Sequence, residues 1–85
     1  MERHIQERFP DRKQSLEQLM AEDPEFLALC EDYDVCINAL QYWARSRDPE
    51  AEIRTNEYRA IARQLEEEVI ESLIALRRRT DCRDF

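Results

Sequence analysis

Between residues 26 and 44 apolar side chains recur at Phe26, Leu29, Cys30, Tyr33, Cys36, Ile37, Leu40 and Ala44. At about 100° per residue these positions collect on one side of a cylinder, with Trp43 at its border, so the pattern predicts a long amphipathic helix. The same spacing returns at Tyr58, Ile61, Ala62, Leu65, Val69, Leu73 and Leu76, with Ser72 as a small polar member. It predicts a second long helix whose stripe matches the first. Upstream, Leu16, Leu19 and Met20 follow Ile5 and Phe9. They predict a shorter helix capped by Asp11 and running through about Ala21.

Start signals divide the chain in the same way. "DPEF" at Asp23 to Phe26 and "DPEA" at Asp48 to Ala51 each place an Asp, a Pro and a Glu where a helix begins. The Asp accepts from the first free N–H groups, the Pro suits the first helical position, and the Glu suits the positive end of the dipole. Only Ser46 and Arg47 separate the second signal from the first long helix, and so short a connection joins antiparallel neighbours. The second long helix is expected to start at Pro49, or near Thr55 because "AEIRTN" is a poor helical stretch, and to end near Arg79. The expected fold is therefore all-α: one small helical domain over residues 1–85, an antiparallel helical hairpin of two long helices plus a short N-terminal helix. Residues 1–10 and 80–85 are expected to be mobile. Two helices bury little by themselves, so dimerisation is the expected route to a complete bundle.

Composition reinforces the helical reading. The 85 residues include no Gly and three Pro, which leaves almost nothing suited to tight hairpin turns or phosphate-cradling loops. A formal net charge of −7 repels nucleic acid and anionic membrane, so neither is expected as a partner. No apolar run approaches the roughly 20 residues that span a bilayer, and "MERHIQERFPDRKQ" lacks the apolar core of an export signal. Cys30, Cys36 and Cys82 are odd in number and irregular in spacing, which suits a reducing cytoplasm.

"CEDYDVC", Cys30 to Cys36, looks most like chemistry. A chelating pair on a helix needs spacing i,i+3 or i,i+4, whereas these thiols are six apart and both flank Tyr33 on the apolar side. They are expected to be buried structural thiols, with Glu31 and Asp34 turned outward. His4 is the single His and has no evident orienting partner, so no Cys and His pairing is expected. Cys82 is followed by charged Arg83 and Asp84 rather than by the aliphatic residues of a prenylation signal. Arg77 to Arg79 suits a helix C-terminus better than a nucleic-acid patch. It is expected to lie beside Glu25, Glu31, Asp32 and Asp34, while Arg45 and Arg47 face Glu50 and Glu52 at the connection. In "EEE", Glu66 to Glu68, it is Glu68 that borders the stripe. No catalytic residue, metal site or cofactor is expected.

What remains is a second set of apolar positions. Ile70 and Ile74 lie off the stripe of their helix, and Val35 and Tyr42 lie opposite the stripe of theirs. With Trp43 near the hairpin tip, they form the expected partner-binding set.

The runs "LMAEDPEFLALCEDYDVCINAL" and "EYRAIARQLEEEVIESLIAL" resemble the small bacterial YdcH-like helical hairpins of unknown function, over roughly residues 9 to 76. Pro24, Phe26 and Tyr33 match that family's spacing of an aromatic after a Pro and a Tyr about seven residues later. The resemblance implies a short α-hairpin and no known activity. The expected function is a non-enzymatic protein–protein interaction module, homodimeric or docking a helical protein. A small chaperone or assembly factor that sequesters a partner's amphipathic helix is the alternative.

Overall fold

The structure is a computed structural model that describes residues 3–81. Cys82 and the other residues of 1–2 and 82–85, parts of the ends expected to be mobile, lie outside the described residues. Among those described there are four α-helices and no strand: α1 (His4–Arg8), α2 (Lys13–Glu22), α3 (Pro24–Arg45) and α4 (Ala51–Asp81). A 3₁₀ turn, Pro10–Arg12, joins α1 to α2. The fold is all-α, with α3 and α4 the two long helices packed on each other.

Asp23 both ends α2 and begins α3. Its backbone N–H donates to the Leu19 carbonyl at 2.8 Å, while its Oδ1 accepts the Glu25 N–H at 3.0 Å. One residue thus satisfies end groups of both helices, which leaves no room for a loop. The second start signal works alike: Asp48 Oδ1 accepts the Glu50 N–H at 2.9 Å, and the Asp48 carbonyl accepts from Ala51 at 2.9 Å. α4 is therefore regular from Ala51 and does not wait until Thr55. Buried Ala51, together with Arg54 set between Glu50 at 3.6 Å and Glu57 at 3.2 Å, outweighs the weak propensity of "AEIRTN".

Asp11 does not cap a helix as expected. It lies in the 3₁₀ turn, where the Arg12 N–H donates to the Phe9 carbonyl at 3.0 Å, and α2 begins two residues later. In the N-terminal segment residues 4–8 form α1, and Ile5 is fully buried. Five residues cannot sustain a helix by propensity. This one is capped from a distance: Asp34 of α3 accepts the His4 backbone N–H at 2.9 Å and Arg3 Nη1 at 3.1 Å. Gln6 Oε1 also takes the Arg3 N–H at 2.9 Å.

The core joins Ile5 of α1, Leu16 and Leu19 of α2, Phe26, Cys30, Tyr33 and Cys36 of α3, and Ala62, Val69 and Leu76 of α4. Across the α3–α4 seam, Tyr33 reaches Glu66 and Cys36 reaches the Tyr58 carbonyl, so later positions of α3 meet earlier positions of α4. Ile61, expected within the stripe, is 46% exposed. It lies at the stripe's edge, away from the side that α1 and α2 cover. The molecule measures 58 × 23 × 22 Å, because α4 alone has 31 residues.

Candidate interaction surfaces

Cys30, Tyr33 and Cys36 are all buried, as their spacing predicts, and both thiols are free. The Cys36 thiol donates to the Tyr58 carbonyl at 3.3 Å. Burial raises Cys30 from the ordinary 9.0 to about 11, with Arg3 opposing and Asp34 and Glu31 adding to the rise. Burial and then Glu66 push Cys36 upward as well. Both sulfurs are held in the protonated, weakly nucleophilic form. Among the described residues, no group of three or more His, Cys, Asp and Glu side chains is placed to hold a metal ion.

The carboxylates of this stretch do not simply face water. Asp34 is half-buried and caps α1, and Glu31 lies 3.9 Å from Arg3. His4 likewise has partners: Nε2 is 3.1 Å from Asn38 Oδ1, and Nδ1 is 3.7 Å from Glu7. The expected pairing of the arginine run with the acids of α3 is replaced by two others. Arg79 takes Glu22 of α2 at 2.8 Å, and Arg3 takes the α3 acids. At the connection, Glu50 is held by Arg54 rather than facing Arg45 or Arg47.

Glu66 was not singled out by the sequence pattern. Its Oε2 accepts the Tyr33 hydroxyl at 2.6 Å and Arg8 Nε at 3.3 Å, which ties α1, α3 and α4 at one point. Burial first, and then this hydrogen bond, raise the Tyr33 phenol. The available signal was Tyr33 itself, since a buried Tyr hydroxyl requires a partner.

The five expected docking residues fall in separate places. Ile70 and Ile74 are 42% and 46% exposed and lie together along an open groove of about 530 Å³, whose lining includes Phe9, Arg12, Leu73 and Arg77. Tyr42, 66% exposed, borders a shallow depression with Asn38 and Arg45. Trp43 is half-buried beside the α3–α4 connection and meets the Tyr42 ring edge-on, with centroids 5.2 Å apart. Val35 is 68% exposed on α3. Ile53 is also exposed, as is Ile61 despite its expected place in the stripe. Scattered apolar residues are normal on a surface; among these depressions the groove is the one where two exposed Ile side chains lie beside Phe9 and Leu73.

Comparison with family models, with curated proteins and with solved structures finds no match to this chain. Among the described residues, no helix is long and apolar enough to cross a membrane.

Proposed function

We propose that this chain is a non-enzymatic protein interaction module: an antiparallel helical hairpin, braced by α1 and α2, that docks a helical partner or a second copy of itself. The observation that carries this reading is the groove, where Ile70 and Ile74 remain accessible beside Phe9 and Leu73. Exposed Val35 and Tyr42 support a second contact on α3. The resemblance to YdcH-like hairpins brings no activity with it. Two free, buried thiols suit a cytoplasmic setting. The groove also supports the chaperone or assembly-factor alternative, since two helices wall it as they would wall a captured third.

Sedimentation equilibrium under reducing conditions, with and without the proteins that co-purify, tests the module reading. A dimer or a stoichiometric complex is expected, and Ile70→Ser with Ile74→Ser, or Val35→Ser with Tyr42→Ser, should weaken it. A monomer that associates with nothing would remove the proposal.

A further inference from the structure

We infer that the groove between α2 and α4 receives an acidic amphipathic helix of a partner protein. The inference rests on the module reading and specifies the occupant of this one surface.

Shape comes first. One wall follows Phe9, Arg12, Ser15 and Gln18, every third residue through the 3₁₀ turn into α2; the other follows Ile70, Leu73, Ile74 and Arg77 on α4. The second set has spacing i, i+3, i+4, i+7, a single helical ridge. The walls span ten and eight residues, Phe9 to Gln18 and Ile70 to Arg77, or between two and three turns, roughly 10 to 14 Å. A groove of that length between two helices suits a third helix that anchors through apolar residues at its own i, i+4 and i+7. No sheet edge exists among the described residues to take an extended strand.

Charge then selects among helices. Among the described residues, the only charged ones lining the groove are Arg12 and Arg77, in a chain whose formal net charge is −7. Elsewhere the arginines that form ion pairs do so with the chain's own acids: Arg3 with Asp34, Arg8 with Glu66, Arg54 with Glu57 and Arg79 with Glu22. Among the described residues, no ion pair engages Arg12 or Arg77. The groove is thus an apolar floor with two uncommitted cations at its rim, complementary to a helix that carries Glu or Asp beside its apolar stripe. A second copy is the poorer occupant. Two chains of charge −7 repel, and a groove that receives a different face of its neighbour makes a head-to-tail contact that need not close.

The test is fluorescence anisotropy with the full chain and two labelled peptides of about 18 residues, each with Leu at i, i+4 and i+7, one flanked by Glu and its twin by Lys. The Glu peptide is expected to bind at least about tenfold more tightly than the Lys peptide, and the preference should shrink as salt rises. Arg12→Glu with Arg77→Glu should reverse the order. Ile70→Ser with Ile74→Ser should weaken the Glu peptide by about tenfold or more while far-UV circular dichroism is unchanged, because both side chains are already partly exposed. Equal binding of the two peptides, or binding indifferent to Ile70 and Ile74, overturns the inference. So does a homodimer abolished by the Ile70 and Ile74 substitutions, an outcome that replaces the occupant with a second copy and leaves the module reading standing. If neither peptide binds, the inference falls, while association lost only on changing Val35 and Tyr42 would keep the module reading.

Discussion

Tyr33 lies between two buried thiols, and its hydroxyl ends on Glu66 at 2.6 Å. Helical spacing turns Cys30, Tyr33 and Cys36 inward, and that much was legible from "CEDYDVC". The hydroxyl's acceptor was not, because it comes from a helix 33 residues away. A titration consequence belongs to this scale. In the unfolded chain Cys30 ionises near its ordinary 9.0, whereas in the fold it does so only near 11. The unfolded state therefore loses the proton first, so stability present below pH 9 declines as pH rises toward 11. Cys36 and Tyr33 are also raised and act in the same direction. Urea midpoints followed by circular dichroism should fall across that window, and Cys30→Ala should remove part of the slope even if it lowers the baseline. A midpoint that stays level from pH 9 to 11 would contradict the burial of these groups.

Helix boundaries separate what local sequence can specify from what it cannot. "DPEF" and "DPEA" were readable because capping uses residues within three positions of one another. α1 was not readable, since five residues carry no usable periodicity and its cap, Asp34, lies about thirty residues downstream. α1 therefore depends on its tertiary partners. Asp34→Ala is expected to cost about 1 kcal/mol, with amide exchange accelerated at His4–Arg8 and little changed in the middle of α3. Ile5→Ala removes a fully buried side chain and should cost about 2 to 5 kcal/mol by urea denaturation. If Ile5→Ala changes stability by less than about 0.5 kcal/mol, the size of an ordinary surface substitution, α1 does not contribute to the core.

At the scale of the whole molecule, the long axis of 58 Å against 23 and 22 Å follows from α3 and α4 lying side by side. Small-angle scattering of the monomeric protein should give a maximum dimension near 58 Å and a radius of gyration near 15.2 Å, plus a few ångströms for hydration. A helix seated between α2 and α4 would widen this particle without lengthening it. A markedly shorter particle would mean that α4 is not continuous. The docking residues are also a whole-molecule matter. The periodicity of each helix taken alone leaves Val35, Tyr42, Ile70 and Ile74 off its stripe and Trp43 at its border. Only the placement of Phe9 and Arg12 beside α4 turns Ile70 and Ile74 into the wall of a groove.

By itself, the sequence determined the helical class, the two capped starts, the inward side of each long helix and the burial of both thiols. These depend on the 3.6-residue repeat and on capping chemistry that acts within one turn. The tertiary structure decided that residues 4–8 are helical, that Glu66 rather than Glu68 meets the core, that Arg79 takes Glu22, and which leftover apolar positions share one surface. Each of those outcomes joins residues from different helices. Helical periodicity sets the side on which a residue lies, while its neighbour across the interface is selected only when the helices dock.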